Sequence, residues 1–295
     1  MPDNHDTPIT APVLVIHGGA GRRKHDPDTE QSARQVMTQA LQRGYGILFQ
    51  GGSSLEAVVA AIEVLEDSPL FNAGRGSVLN RDGKIEMDAS VMEGHSQRAG
   101  AVAGVRTIKN PIAAAHRVMT ASPHVMLIGE GAEQFAAGQK LALADPEYFY
   151  TTQRRKQWQQ QSHDPGTVGA VALDCQGHLA AGTSSGGLTG KYPGRVGDSA
   201  IIGAGTYADE YCAISTTGHG ECFIRKLIAY DIAARMKYQQ LSLENAIEQV
   251  SHCCEGGIIA LDHTGNVHMH FNTELMYRGF IRTAGQPQVF LYANR

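Results

Sequence analysis

Thr167 opens a run, Gly166-Thr167-Val168-Gly169-Ala170-Val171-Ala172-Leu173-Asp174, that is apolar except near its two ends. Such a run reads as a strand buried on both faces, and a core strand gains nothing from beginning on a hydroxyl. Just upstream, Thr151 to Pro165 (TTQRRKQWQQQSHDP) is polar and glutamine-rich with no apolar period, the composition of an exposed, cuttable linker. Cleavage of the Gly166–Thr167 bond would make Thr167 a new N-terminus. One residue would then carry a nucleophilic hydroxyl and a free α-amine, whose ordinary pKa of about 7.7–8.0 suits a base near neutral pH. A strand threonine is ordinary by itself, because β-branched residues favour strands; the adjoining linker singles this one out. Its β-branch also restricts χ1 and holds the hydroxyl in fewer orientations than serine would.

Two later segments could complete such a site. Gly182 to Asp198 (GTSSGGLTGKYPGRVGD) is rich in hydroxyls and glycine and ends in Arg195-Val196-Gly197-Asp198. A guanidinium can take a carboxylate through two parallel hydrogen bonds, and a nearby aspartate can take an ammonium. The plainer reading is a surface ion pair between Arg195 and Asp198, worth little. Together they would grip the α-carboxylate and α-amine of an amino acid and present its side-chain carbonyl to the nucleophile. Ser215 to Glu221 (STTGHGE) sets hydroxyls beside backbone free of Cβ. Thr217 and Gly218 are candidate donors to a developing oxyanion, and Gly218 and Gly220 can serve equally as the turn into a helix.

With His17-Gly18-Gly19-Ala20-Gly21, Phe71-Asn72-Ala73-Gly74, Met87 to Met92 (MDASVM) and Gly194 to Ser199 (GRVGDS), these motifs run in order over nearly the whole chain. They resemble the plant-type (type III) asparaginase and isoaspartyl-peptidase family of N-terminal-nucleophile hydrolases. The resemblance implies an α+β fold, a four-layer αββα sandwich. It implies a single domain over residues 1–295, made as a precursor and split into 1–166, with 151–166 as linker, and 167–295. The assembly would be a dimer of such αβ heterodimers. By the same resemblance Thr167 is the nucleophile, the Gly166–Thr167 bond is the cleavage site, and the Ser185 and Thr189 hydroxyls position the nucleophile. Arg195, Asp198, Thr217, Gly218 and Gly220 bind substrate, Gly220 through its carbonyl. Main-chain carbonyls of Leu65, Glu66, Ser68, Phe71, Ala73 and Arg75 wrap a structural sodium or potassium ion, and no catalytic metal or cofactor is implied. Ser185 departs from the pattern, since the family most often has threonine there. Two other readings compete. A glycosylasparaginase-like hydrolase is disfavoured by the GTVGA strand and the lack of a secretory signal; an uncleaved metabolite-binding relative is favoured only by Ser185.

At 295 residues, 42% apolar and 18% charged, the chain is long enough for one substantial core. A net charge of −4 argues against nucleic acid as a partner, and Arg154-Arg155-Lys156 reads as solvated charge. No stretch approaches the roughly 18 apolar residues of a membrane span. The first ten residues are polar and unlike a secretory signal, so a cytoplasmic protein is expected. Cysteines 175, 212, 222, 253 and 254 show no CxxC spacing and read as reduced thiols. His268 and His270 share a strand face without a third ligand, so they read as exposed strand histidines and not as a zinc site. His17 to Gly21 lacks GxGxxG spacing, and Gly190-Lys191 lacks the rest of a phosphate loop.

Periodicity predicts a strand over 12–16, a helix with Ala33, Met37, Ala40, Leu41 and Leu48 on one face, and a second helix capped by Ser53 and Glu56. Strands follow at 85–92, 100–105 and 124–128, with helices from Asn110-Pro111 and from about 130. Beyond the linker come strands near 167–174, 178–184, 200–204 and 211–216, then a helix of nearly five turns from His219. A helix from Ser242 and strands near 257–261 and 266–271 close the pattern. Consecutive strands favour antiparallel pairing.

Overall fold

Val13, Leu14, Val15 and Ile16 are all buried, and their alternation splits them between two cores. Leu14 and Ile16 join one with the helices, whereas Val13 and Val15 join another with Val171, Leu173, Ile259 and Leu261. A strand apolar on both faces must lie between layers, and this one does. The computed structural model describes residues 11–21, 26–160, 166–282 and 285–293.

The first half runs β1 (Val13–Gly21), α1 (Pro27–Phe49), α2 (Ser54–Glu66), β2 (Met87–Glu93), β3 (Ala99–Val105), α3 (Pro111–Ala121), β4 (Met126–Ile128), α4 (Gly129–Gly138), α5 (Pro146–Phe149) and α6 (Thr152–Gln159). The second runs β5 (Val168–Leu173), β6 (Leu179–Ser185), β7 (Thr206–Ala208), β8 (Cys212–Gly218), α7 (Gly220–Lys226), α8 (Ile228–Gln239), α9 (Leu243–Val250), β9 (Gly256–Asp262), β10 (Val267–Phe271), β11 (Leu275–Arg282) and β12 (Gln288–Phe290). Among the described residues these strands form an eight-stranded sheet, β12-β11-β1-β5-β6-β2-β3-β4, and a four-stranded sheet, β10-β9-β8-β7. Pairing is antiparallel except between β3 and β4. Helices α1 to α3 pack on the larger sheet and α8 and α9 on the smaller. The fold is mixed α and β, as expected. Among the described residues no helix is long and apolar enough to cross a membrane.

Several local expectations change. The polar stretch before Thr167 is not structureless: Thr151 caps α6 by accepting from Arg154 N–H at 3.1 Å, as a threonine N-cap does. Arg154 is buried and not solvated, donating from Nε to Gly76 O at 2.6 Å. Residues 161–165 of the linker, and the N-terminal ten, lie outside the described residues. The long helix expected from His219 is broken at Leu227, whose φ is +49°. There the first N–H groups of α8 turn to carbonyls of a neighbouring loop, Ala229 to Ala204 at 3.4 Å and Tyr230 to Gly203 at 2.8 Å. The strand expected at 200–204 is a tight turn, Ile201 N–H to Asp198 O at 2.9 Å, and pairing starts only at Thr206. Strands β11 and β12, not foreseen, complete the sheet beside β1. His268 and His270 are half-buried on β10, not exposed. Cysteines 222 and 254 are not thiols but a disulfide, with Cα atoms 5.8 Å apart. The pairing of Gly218 with Gly256 draws the flanking segments together across 32 residues, so no sequence motif marks the link.

Candidate active site

Gly166 and Thr167 lead into β5, which lies between β1 and β6. Thr167 is buried, 4% exposed. Its hydroxyl donates to the Gly166 carbonyl at 2.7 Å and lies 3.1 Å from Ser185 Oγ at the end of β6. The same carbonyl accepts from Asn72 Nδ2 at 2.9 Å and from Ser185 Oγ at 3.2 Å. Asn72 is itself fixed, donating to Gly187 O at 2.7 Å and accepting from Val78 N–H at 2.9 Å. Ser185 Oγ also accepts from Gly187 N–H at 2.9 Å. Donors thus converge on the carbonyl oxygen of the bond before Thr167, an arrangement that stabilises negative charge there. On the other side the end of β1 passes against that bond. A Cβ on Gly19, whose φ is +108°, would stand 3.1 Å from Gly166 Cα and 3.2 Å from Thr167 N, which is why this position needs glycine.

Arg195 and Asp198 lie between β6 and β7 and line a narrow cleft with Thr167, Ser185 and Gly218. The Arg195 guanidinium donates through Nε and Nη2 to the two carboxylate oxygens of Glu221, at 2.8 and 3.0 Å. Its direct ion pair is therefore with Glu221 and not with Asp198. Asp198 is buried, and burial pushes its carboxyl up to about 6 against the opposing pull of the Thr216 hydroxyl, 3.1 Å away, and of Arg195. Gly220 lies against both groups: a Cβ there would stand 2.7 Å from Asp198 Oδ1 and 2.8 Å from Arg195 Nη2. Behind this turn the buried Asp88 carboxylate accepts from Gly197 N–H at 2.9 Å and Gly104 N–H at 3.0 Å. Burial raises the Asp88 pKa while the ammonium of Lys191 opposes the rise.

The Thr217 hydroxyl is buried without a hydrogen-bond partner. The Thr189 hydroxyl is likewise buried and unpartnered, and it makes no hydrogen bond to Thr167. Between Leu65 and Arg75 the chain turns back on α2. A Cβ on Gly74 would stand 2.4 Å from Glu66 O, and one on Gly76 would stand 2.0 Å from Phe71 O. Glycine at both positions lets the loop pack closely against its own carbonyls. Among the described residues no three His, Cys, Asp or Glu side chains converge as a metal site.

Asn72, Asp88 and Glu221 stand inside the sequence motifs without a role legible there, since their partners are 94, 109 and 26 residues away. Asp88 left one signal, a lone carboxylate inside the otherwise uncharged run Met87 to Met92.

A family model described as Asparaginase matches residues 10–166 and 159–291. The isoaspartyl peptidase of Escherichia coli (strain K12) is 45% identical over 310 residues, covering 96% of this chain and 97% of its own. The isoaspartyl peptidase/L-asparaginase of Homo sapiens is 46% identical over 230 residues, covering 74% of each chain. A relative from Arabidopsis thaliana that bears both names is 39% identical over 320 residues, 95% of this chain and 98% of its own. The chain belongs to the plant-type (type III) asparaginase and isoaspartyl-peptidase family.

Proposed function

We propose that this protein is a self-cleaving amidohydrolase that releases L-aspartate from isoaspartyl dipeptides and from L-asparagine. The observation that carries the reading is the Thr167 hydroxyl, 2.7 Å from the carbonyl oxygen of its own preceding residue, with Asn72 and Ser185 on that same oxygen. Attack of Thr167 Oγ1 on the Gly166 carbonyl carbon forms an oxyanion that the Asn72 amide and Ser185 hydroxyl stabilise. The hydroxyl proton passes to the Thr167 nitrogen, which leaves as the amine as the acyl group moves to oxygen as an ester. Water opens the ester to give the Gly166 carboxylate and a free Thr167, splitting the chain into 1–166 and 167–295.

In the matured enzyme the Thr167 α-amine takes the hydroxyl proton while Oγ1 attacks the side-chain carbonyl of the substrate. The unpartnered Thr217 hydroxyl and Gly218 N–H receive the oxyanion, and the amine returns the proton to the departing amine or ammonia. The acyl-enzyme is hydrolysed by water. The Arg195 edge left free by Glu221 takes the α-carboxylate, and Asp198 with the Gly220 carbonyl takes the α-ammonium. Carbonyls of the 65–75 loop would hold a sodium or potassium ion that braces Asn72. The contacts of helices with both sheets support a four-layer αββα arrangement, and family membership supports a dimer of αβ heterodimers. N-terminal sequencing of the smaller fragment from a purified, aged sample tests the proposal. It should read Thr-Val-Gly-Ala, with ammonia released from L-asparagine; a sample that stays full-length and inert would refute it.

A further inference from the structure

The ladder between β1 and β5 ends at the pair His17–Gly169. Continued in register it would set residue 19 opposite Thr167, but β1 shifts register against β11 between His17 and Gly19. The His17 side chain meets the Thr167 carbonyl instead, with Nδ1 at 3.1 Å. Its Nε2 lies 2.9 Å from Ser215 Oγ on β8, across in the smaller sheet. A carbonyl only accepts, so Nδ1 carries the proton. The ring is fully buried, which holds its pKa down to about 3, so Nε2 is bare and Ser215 donates to it. With its proton committed, Ser215 accepts from Thr183 Oγ1 at 2.7 Å. Thr183 in turn accepts from Thr206 at 2.6 Å, and Thr206 from Ser90 at 2.9 Å. The Gly205 and Ser199 carbonyls share the Thr183 and Ser90 protons at 3.0 and 2.6 Å. The glycine of the nucleophile strand leaves room for this bridge. A Cβ on Gly169 would stand 2.4 Å from His17 Nε2 and 2.0 Å from Ser215 Oγ.

We infer that His17 is a positioning residue for the nucleophile: a neutral imidazole, locked as the Nδ1–H tautomer by Ser215, that clamps the Thr167 carbonyl. The clamp matters most after cleavage. A new chain end frays unless something ties it down, and cleavage removes the peptide bond that held Thr167 on its amide side. The His17 bond then fixes rotation about the Thr167 Cα–C bond, and with it the directions of the α-amine and of the Cα–Cβ bond that carries Oγ1.

The inference rests on Thr167 being the nucleophile, and the test separates the two. The parent, His17→Asn and His17→Leu are compared for the time course of precursor loss, then, as matured protein, for kcat and KM on β-Asp-Leu. Asparagine sets its amide nitrogen where Nδ1 stands and keeps the donor, whereas leucine removes it. His17→Asn should keep kcat within about threefold, and His17→Leu should lose about tenfold or more, each with KM within about twofold because Arg195 and Asp198 are untouched. Equal losses in the two variants, or a loss in KM alone, would reduce His17 to packing and overturn the inference. Should His17→Leu not fold, nitrogen-15 histidine spectra of the parent decide. The resonance missing from His17→Asn must show Nε2 unprotonated from about pH 8 down to about pH 5, and titration near the ordinary value of about 6.5 would overturn the lock. A parent that neither splits nor hydrolyses would fail the Thr167 reading and take this inference with it. One that does both while His17→Leu matches it fails this inference alone.

Discussion

At one end of the cleft, around Thr167, the named contacts are neutral: hydroxyls, amides, carbonyls and one uncharged imidazole. At the other end, the Arg195 guanidinium lies close enough to pull down the carboxyl pKa values of Glu221, Asp198 and Asp88, and the Lys191 ammonium that of Asp88. The difference follows from what each end must do. A nucleophile needs fixed geometry, and neutral hydrogen bonds supply direction without a large desolvation cost. A zwitterionic substrate needs charge, and charge in a buried site is tolerable only when countercharges offset its desolvation. Perturbing the first end should therefore act on kcat and maturation, and perturbing the second on kcat/KM.

The sharpest break is Thr167→Ala, which removes nucleophile and base-bearing terminus together. Intact mass should show only full-length chain, and hydrolysis of β-Asp-Leu should fall on the order of 10⁴-fold or more. Appreciable turnover by this variant would place the chemistry elsewhere. At the charged end, Arg195→Lys keeps the charge but loses the fork that holds both Glu221 oxygens at 2.8 and 3.0 Å. A loss of about 2 kcal/mol, roughly 30-fold in kcat/KM, is expected for charge-assisted bonds. Maturation should proceed at the parent's rate, since no charge takes part in it. A variant that recognises substrate normally but matures slowly would invert the contrast between the two ends.

The pH dependence separates them again. Burial raises the Asp198 carboxyl to about 6, so as pH falls through that value it gains a proton and loses its attraction for the substrate ammonium. Arg195 opposes the rise in its pKa, and Asp88 adds to it. Protonation of the Thr167 α-amine lowers kcat and kcat/KM alike. Below about pH 6, Asp198 adds a further fall of about tenfold per pH unit to kcat/KM alone, because kcat/KM reports the free enzyme and a bound ammonium keeps Asp198 ionised. In Asp198→Asn that additional steepening should vanish, leaving kcat/KM parallel to kcat from a lower plateau. Steepening that persists in the variant belongs to another group.

Much of this is legible in the sequence. The unbroken apolar runs of β1 and β5, the Ser53 capping box and the motif order point to the α+β class and single out Thr167, Ser185, Arg195 and Asp198, which line one cleft. What stayed hidden depends on long-range contact. Nothing local marks Asn72 as a donor to Gly166, or His17 as more than part of a glycine-rich turn. The Cys222–Cys254 link spans 32 residues without a motif, and α6 forms from a polar segment because Arg154 finds the Gly76 carbonyl. Composition read that segment as solvated because it cannot register one buried partner.

The smallest expected effect concerns Ser185, which touches both the scissile carbonyl and the nucleophile. Its hydroxyl donates to Gly166 O at 3.2 Å, accepts from Gly187 N–H at 2.9 Å and lies 3.1 Å from Thr167 Oγ1. The Gly187 bond leaves this hydroxyl some rotation, which a threonine methyl in its place would restrict further. Freeing or fixing one rotamer is worth about 0.5–1.5 kcal/mol, a few-fold in rate. Ser185→Thr should therefore speed precursor loss by about twofold to tenfold, and only if the packing around β6 admits a methyl. Ser185→Ala should slow it by about tenfold or more, because the Gly187 N–H loses its acceptor and the oxyanion loses one of its two donors. Time courses of the three proteins at one pH and temperature decide the matter. If Ser185→Ala matures as fast as the parent, Asn72 alone holds the oxyanion and the serine is an ordinary strand residue.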